Sequence, residues 1–188
     1  MKTIRLHLQK DISPALTSAV GIGFFVLATA LGAYIRIPIP FTPVPITLQT
    51  FFVLLGGALL GAPRACTAQA LYCMLGFFGI PLFTLGTAGF AYLCGPTGGY
   101  LIGFIMASVF LGRVFATAPL SAAKALLYMG IASAIILSFG SLHLAFVMHL
   151  NPAQAITAGF IPFIPGDIAK TVAAVGIYRF LTARKISF

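Results

Sequence analysis

The chain has 188 residues, of which 60% are hydrophobic and only 7% are charged, whereas an ordinary soluble domain is roughly 45–50% apolar and about 25% charged. No water-soluble fold of this size could bury that much apolar surface, so the composition excludes a soluble globular protein. The net charge of +9 does not indicate nucleic-acid binding, because the 11 Lys and Arg residues are spread along the chain, most of them at the edges of apolar tracts, and form no clustered basic face.

Long apolar tracts predict the elements of this chain. In lipid every backbone N–H and C=O must be paired internally, so the spans are expected to be helices. The alternating pattern of a membrane barrel, in segments of ~10 residues, is absent. Six spans fit, which predicts an all-α integral membrane protein with a single domain over residues 1–188. The predicted spans are Leu16–Ile35, Ile46–Gly61, Ala65–Phe78, Gly98–Ala116, Ser121–Leu142 and Ile161–Leu181.

The second and third predicted spans are short. At about 1.5 Å per residue they do not comfortably cross a hydrocarbon core of ~30 Å. We expect a tight turn at Ala62–Arg64 to join them, so that both stop below one membrane surface and leave a hollow above them.

The basic residues predict the orientation of the chain in the membrane. Nine of the 11 lie on one side of the six-span arrangement, whereas Arg36 lies on the other side and Lys170 lies within the sixth span. Because cytoplasmic segments collect Lys and Arg, both termini are predicted to be cytoplasmic. The nine residues are Lys2, Arg5, Lys10, Arg64, Arg113, Lys124, Arg179, Arg184 and Lys185.

Three connections are predicted on the outer side. The first, Arg36–Thr47, contains four prolines, which fix φ and disfavour helix in the preceding residues, so we expect an extended, stiff strap. The second, Gly79–Gly99, is longer than the usual ~4–6 residues, as in a lid or binding loop. The third, His143–Phe160, is apolar enough to lie on the membrane surface.

Two residues of the last span carry the clearest functional signal. The chain has only two carboxylates, and one of them, Asp167, stands three positions before Lys170, so that the two share a helix face. Each costs roughly 2.5–3.5 kcal/mol near a bilayer centre, and such residues mark a cavity or a ligand path. Together they suit a small polar ligand with N–H donors and an anionic or carbonyl acceptor. The alternative is a structural salt bridge that binds no ligand.

Other polar residues at the outer ends of the spans are candidate ligand contacts. Thr47 and Gln49 can form directional hydrogen bonds beneath the strap, although a polar residue at a span end can also simply meet water. The segment Gly95–Tyr100 opens the fourth span with a turn, and Tyr100 brings an aromatic hydroxyl to it.

Catalysis is poorly supported. An intramembrane aspartyl protease needs two membrane carboxylates that share a proton, and no GxSxG elbow indicates a serine hydrolase. Neither GxxxxGK[ST] nor GxGxxG occurs, so ATP would have to be handled by another chain. The spacing of Cys66, Cys73 and Cys94 fits no metal site. We therefore predict a protein that is not an enzyme and that carries no metal or cofactor.

Four sequence blocks, in order, resemble those of the BioY family, the biotin-specific S components of energy-coupling-factor (ECF) transporters. The resemblance runs from the first span to the sixth. It implies a six-transmembrane-helix bundle of the ECF S-component type in a bacterial-type inner membrane, with an outward-facing biotin cavity capped by the first and third loops. The blocks are Pro43–Thr50, Gly76–Phe83, Gly95–Gly103 and Pro162–Lys170.

The resemblance also implies roles for particular residues. Asp167 is expected to accept hydrogen bonds from the ureido N–H groups of biotin, and Lys170 to serve the ligand carboxylate or the ureido oxygen. Thr87 is the candidate contact from the third-loop region. The expected partners are a transmembrane coupling subunit and two ATPase subunits, and the small residues expected to dock a partner helix are Ala15, Ala19 and Gly23.

Two other classes of function remain open at the level of sequence. One is a solitary secondary or facilitated transporter of a small vitamin-like solute, which would sustain uptake without an ATPase partner. The other is a membrane enzyme that acts on an amphiphile, which would turn over its bound ligand.

Overall fold

The computed structural model describes residues 13–116 and 120–184, and in this part of the chain six helices form a bundle. Two short helices, α4 and α7, lie in the connections, and two short strands pair between α1 and α2. The elements are α1 (Pro14–Tyr34), β1 (Arg36–Ile37), β2 (Ile46–Thr47), α2 (Gln49–Leu60), α3 (Ala62–Phe77), α4 (Phe90–Leu93), α5 (Gly98–Val114), α6 (Ala122–Met148), α7 (Pro152–Gly159) and α8 (Ile164–Ala183).

The bundle is organised around α5 and α2. Helix α5 packs against α2, α3 and α6, while α2 also contacts α1 and α8. Large apolar side chains fill the space between these helices, and the all-helical fold predicted from the sequence is confirmed. Fully buried members of this core include Phe25, Leu54, Tyr72, Leu111, Met129 and Ile136.

Local sequence sets where several helices begin and end. Ser13 caps α1 by accepting a 3.1 Å hydrogen bond from the N–H of Leu16. Pro63 occupies the first turn of α3, where its missing N–H leaves no hydrogen bond unmade. Gly61 has a φ of 76° and reverses the chain between α2 and α3. The turn is therefore at Gly61, and Ala62–Arg64, expected to form it, already belong to α3.

The lengths of the helices differ in a way that matters for the site. Within the described residues, three segments are long and apolar enough to cross a membrane: Pro14–Tyr34, Ala122–Met148 and Pro152–Ala183, the last made of α7, a 3-10 turn and α8. In contrast, α2 and α3 contain 12 and 16 residues, which is about 18 and 24 Å at 1.5 Å per residue. Helix α2 thus leaves room at its amino-terminal end, as expected for a hollow above the short spans.

Helix α6 is longer than the sequence predicted. It continues six residues past Leu142 to Met148 and ends at His149, which has a left-handed φ of 52°. Residues 143–148 contain no glycine or proline to stop the helix, and the ring of His143 meets the carbonyl of Gly95 at 3.1 Å. The predicted connection His143–Phe160 is therefore wrong in its first part, and most of its remainder is α7.

The proline-rich strap Arg36–Thr47 doubles back on itself, so the prediction of one extended segment is wrong. β1 and β2 pair antiparallel, with Arg36 opposite Thr47 and Ile37 opposite Ile46. The prolines keep the neighbouring backbone extended, but a turn at residues 40–41 reverses the direction of the chain. Within the strap, Val44 is buried, whereas Phe41 at the tip is exposed.

The second outer connection, Gly79–Gly99, is anchored by one aromatic side chain. Phe83 is fully buried, stacks on Tyr92 with 4.7 Å between ring centroids, and meets Tyr72 of α3 edge to face at 5.6 Å. The N–H of Gly89 donates a 2.7 Å hydrogen bond to the carbonyl of Gly76. This connection is therefore an ordered cover over the same end of the bundle as the strap.

The described basic residues divide between the two ends of the bundle. Arg36 stands at the end that carries the strap and the Gly79–Gly99 connection, and Lys170 lies within α8. The others stand at the opposite end, where α1 begins and α8 finishes. These are Arg64, Arg113, Lys124, Arg179 and Arg184, whereas Lys2, Arg5, Lys10 and Lys185 lie outside the described residues.

Candidate ligand-binding site

An ion pair lies in the first two turns of α8. The Nζ of Lys170 is 2.9 Å from Oδ1 of Asp167, and the side chains are only 11% and 6% exposed. Pro165 and Gly166 precede the pair at the start of the helix, where the unpaired N–H groups and the helix dipole favour a carboxylate. The spacing of three positions between Asp167 and Lys170 predicted that these two side chains would be neighbours.

Two hydroxyls from other helices complete the group around Asp167. Ser133 of α6 donates a 2.6 Å hydrogen bond to Oδ2 of Asp167. Thr50 of α2 accepts a 2.9 Å hydrogen bond from Lys170, and its hydroxyl lies 3.5 Å from Oδ1 of the carboxylate. The carboxylate is thus held from both sides, by a cation and a hydroxyl on one oxygen and by a hydroxyl on the other.

The sequence did not single out Thr50 or Ser133. Thr50 stands at the end of the Pro43–Thr50 block, directly after Gln49. This position was the only indication in the sequence that Thr50 could belong to the site. Ser133 is one of three serines in a long apolar helix, where a serine more commonly bonds to its own backbone. Only the packing of α6 against α8 brings Ser133 to the carboxylate.

Gln49 belongs to a second polar group at the start of α2. Its Nε2 donates a 2.6 Å hydrogen bond to the hydroxyl of Tyr72, which lies 3.2 Å from the carbonyl of Leu82 and donates to it. Its Oε1 accepts a 3.1 Å hydrogen bond from Thr47. Both ends of this buried amide are therefore engaged, and the chain of bonds ties α2 to α3 and to the Gly79–Gly99 connection.

Both polar groups face one cavity at the strap end of the bundle. Its free space amounts to about 470 Å³ including the mouth, of which only about 40 Å³ admits the centre of a water molecule. The cavity is therefore narrow, with room for about three water molecules, so a larger ligand must displace side chains or the strap to enter. Its walls are formed by Val44, Pro45, Thr47, Gln49, Thr50, Thr84, Tyr92, Thr97, Tyr100, Leu101, Phe104, Leu137, Phe163, Asp167 and Lys170.

Tyr100 forms part of the cavity wall, but its hydroxyl is already hydrogen-bonded within the protein. It donates a 2.6 Å hydrogen bond to the carbonyl of Gly159, at the end of α7. The ring fits only because residue 140 of α6 is glycine, where a Cβ would lie 2.2 Å from the Tyr100 ring. In this structure Tyr100 thus supports the cavity through its shape and its link to α7.

The structure places Thr84, rather than Thr87, at the cavity wall. The hydroxyl of Thr87 donates a 2.7 Å hydrogen bond to the carbonyl of Thr84, and Thr87 lines a neighbouring hollow beside the strap. Leu85 and Gly86, between them, both have positive φ angles. These angles orient the loop in a way that the sequence pattern did not reveal.

The three small residues predicted as a docking stripe lie on the outer surface of α1. Ala15 and Ala19 are exposed. A Cβ at Gly23 would meet no atom within 4 Å, so this side of α1 has no packing partner within the described chain.

The arrangement is suited to binding rather than to bond chemistry. Within the described residues no group of His, Cys, Asp and Glu could hold a metal ion. The cavity offers a carboxylate, an ammonium, several hydroxyls and aromatic walls, which together suit a small molecule with both polar and apolar parts. The fold and the site thus define a helical membrane protein with a small-ligand cavity at one end of its bundle.

The chain belongs to the BioY family, whose family model matches residues 5–186. It is 40% identical to the biotin transporter BioY of Thermotoga maritima over 153 residues, which cover 81% of this chain and 88% of that protein. It is 35% identical to the biotin transporter BioY2 of Lactococcus lactis over 163 residues, covering 84% and 89% of the two chains.

Among solved structures, the fold matches the S-component for biotin from an ECF-type ABC transporter. The TM-score is 0.84 over 92% of this chain and 95% of that one, with 24% sequence identity. This likeness establishes the six-helix bundle fold.

Proposed function

We propose that this chain binds biotin in the cavity beside Asp167 and serves as the substrate-binding S component of an ECF-type transporter. The observation that carries the proposal is the buried Asp167–Lys170 pair at the wall of a narrow cavity, in a chain whose relatives are named biotin transporters. Binding and transport, rather than catalysis, is the function that the geometry supports.

The chemistry of biotin fits the groups that face the cavity. Its ureido ring offers two N–H donors and one carbonyl acceptor, its thioether ring is apolar, and its tail ends in a carboxylate. Asp167 supplies acceptor oxygens for N–H groups, and Lys170 supplies donors for the carbonyl or the carboxylate. Phe104 and Tyr92 provide apolar and aromatic surface for the ring system.

Ligand binding would exchange partners within the site. Lys170 now bonds both Oδ1 of Asp167 and the hydroxyl of Thr50, so an entering N–H group must compete with it for the carboxylate. During this exchange, the hydroxyl of Ser133 continues to donate its hydrogen bond to Oδ2 of Asp167. The carboxylate is therefore never left without a partner, which limits the desolvation cost of the exchange.

Transport requires partner chains in this proposal. The chain has no nucleotide-binding motif, so we propose that a coupling subunit and two ATPase subunits supply the energy. The open stripe of α1 formed by Ala15, Ala19 and Gly23 is the proposed surface on which the coupling subunit docks. Both termini are proposed to be cytoplasmic, because five of the described basic residues lie at the end of the bundle where α1 begins and α8 finishes. Reporter fusions at Arg113 and at the C-terminus should read as cytoplasmic, and a fusion near Phe41 as external.

The proposal is tested by the thermal unfolding of the purified chain with and without biotin. A ligand that binds only the folded state stabilises it by about 2.7 kcal/mol when it is present at 100 times its Kd. We expect biotin to raise the unfolding midpoint and thiamine and riboflavin to leave it unchanged. A midpoint that does not respond to biotin, or responds equally to all three, would reject biotin as the ligand.

A further inference from the structure

A second hollow lies at the strap end of the bundle, between the strap and the Gly79–Gly99 connection. Its free space is about 500 Å³ including the mouth, of which about 180 Å³ admits the centre of a water molecule, so it is wider than the inner cavity. Its lining combines one cation, prolines and hydroxyls. The residues are Arg36, Pro38, Ile39, Thr42, Pro43, Pro45, Thr84, Leu85, Thr87, Tyr92 and Thr97.

This hollow adjoins the inner cavity. Four residues, Pro45, Thr84, Tyr92 and Thr97, line both spaces. Arg36 lines the outer hollow but not the inner cavity, whereas Asp167 and Lys170 line the inner cavity but not the outer hollow. A solute that passes through the outer hollow would therefore meet Arg36 before the ion pair.

Arg36 has no anionic partner within the described part of the chain. It is exposed, and the described residues contain one carboxylate, Asp167, which is held by Lys170, Thr50 and Ser133. The whole chain has only one other acidic residue, Asp11, which precedes the described residues. The guanidinium is therefore open to an oxyanion from outside, and guanidinium binds carboxylates with two parallel hydrogen bonds.

The backbone that carries Arg36 is fixed relative to the inner cavity. Arg36 pairs with Thr47 across the β1–β2 ladder, and Thr47 donates to Gln49 within the cavity wall. On the preceding helix, the hydroxyl of Tyr34 donates a 2.6 Å hydrogen bond to the carbonyl of Pro81, which ties this end of α1 to the Gly79–Gly99 connection. The cation thus stands at a defined place on the rim.

We propose that the outer hollow is a vestibule for the anionic end of the ligand, in which Arg36 meets an incoming carboxylate before the ligand enters the inner cavity. The inference rests on the proposed function, since it takes the ligand to be a small carboxylate such as biotin. A charge at the rim of a site acts chiefly on the association rate and on its salt dependence. Arg36 is therefore a positioning residue for entry, whereas Asp167 and Lys170 hold the bound ligand.

The same guanidinium could instead take the phosphate of a lipid headgroup, because both ligands are oxyanions. The vestibule favours the carboxylate, since Thr42, Thr84 and Thr97 line it together with Arg36 and it adjoins the inner cavity. Measurements in neutral and in anionic lipid nanodiscs separate the two sources.

The test is the association rate constant of labelled biotin for the purified chain in neutral nanodiscs, with biotin methyl ester as the uncharged ligand. Rapid filtration suits the measurement because the chain contains no Trp to report binding. The variants are Arg36→Gln, the charge-retaining Arg36→Lys, and Lys124→Gln, which removes one exposed charge at the other end of the bundle. Thermal unfolding midpoints check that each variant is folded.

We expect Arg36→Gln to slow biotin association about 3-fold to 10-fold at low salt, and the difference to shrink at about 0.5 M salt, where charges are screened within a few Å. The ester should associate equally with all variants, and Arg36→Lys and Lys124→Gln should behave as the wild type.

Equal biotin association by Arg36→Gln and Lys124→Gln would overturn the vestibule alone, as would an effect of Arg36→Gln that appears only in anionic nanodiscs. Failure of the wild type to bind biotin at all would overturn the proposed function together with the vestibule.

Discussion

Ser133 on α6 donates a 2.6 Å hydrogen bond to Oδ2 of Asp167 on α8. This oxygen is the one that does not face Lys170, whose ammonium lies 2.9 Å from Oδ1. A neutral hydroxyl thus holds the carboxylate in place while leaving its charge to the cation and to a ligand. This hydrogen bond joins α6 and α8 through the carboxylate that we propose recognises the ligand.

Removing the hydroxyl of Ser133 should therefore affect both stability and binding. A hydrogen bond to a charged group contributes about 1.5–3 kcal/mol, so we expect Ser133→Ala to lower the free energy of unfolding by roughly that amount and to weaken biotin binding. The matched control is Ser138→Ala on the same helix, where the exposed hydroxyl bonds only to the backbone of its own helix. Equal behaviour of the two variants in thermal unfolding and in equilibrium binding would show that Ser133 does not support the site.

A second prediction concerns the close approach of α6 to Tyr100. A methyl group at Gly140 would lie 2.2 Å from the Tyr100 ring, and overpacking of this kind costs about 1–3 kcal/mol. We expect Gly140→Ala to lower the unfolding midpoint and to weaken ligand binding by displacing the cavity wall. Gly130→Ala, also on α6 but in open space, should be neutral or slightly stabilising. A Gly140→Ala protein that matches Gly130→Ala in both measurements would refute this account of Tyr100.

The strap gives a third prediction. Val44 and Pro45 line the inner cavity beneath the strap, and prolines reduce the entropy lost when the strap orders over a ligand. Replacing Pro43 and Pro45 by glycine should therefore speed the dissociation of bound biotin while leaving the bundle folded. The dissociation rate constant, measured by chase with unlabelled ligand, is the readout. An unchanged rate would show that the strap does not cover the ligand.

The sequence was sufficient to predict the bundle and the central pair. Long tracts without charge are typical of membrane spans. Two opposite charges three positions apart on an apolar helix are expected to pair with each other. The ion pair between Asp167 and Lys170 follows from those facts. Its role in ligand binding stays a prediction.

Features that depend on packing between distant segments were not predictable in this way. The hydroxyl of Ser133 has no periodic signal, and its partner lies on another helix. The reversal of the strap depends on pairing between Arg36 and Thr47, and the inward position of Thr84 depends on the positive φ of Leu85. In each case the decisive interaction joins residues whose relation only the folded chain defines.

The fourth prediction separates binding from transport. Gly23 lies in the open stripe of α1, where a larger side chain meets no atom of this chain but would block the close approach of a partner helix. Gly23→Leu should keep biotin binding intact and reduce ATP-driven uptake in the assembled transporter. The control is Gly176→Leu at an equally open position on α8. Uptake that is unchanged in Gly23→Leu, or uphill uptake by this chain alone under a proton or sodium gradient, would contradict docking by α1 to an ATP-driven partner.

The most direct test of biotin recognition by Asp167 is equilibrium binding of labelled biotin to the purified wild type, Asp167→Asn, Lys170→Gln and the double variant. Asp167→Asn keeps the shape of the side chain but removes its charge, so we predict saturable binding by the wild type and a rise in Kd of at least about 10-fold, or 1.4 kcal/mol, in each single variant. The unfolding midpoints of the single variants should stay close to that of the wild type. Single variants that unfold early but bind biotin normally, with stability restored in the double variant, would show that the pair is a structural salt bridge and would contradict the account.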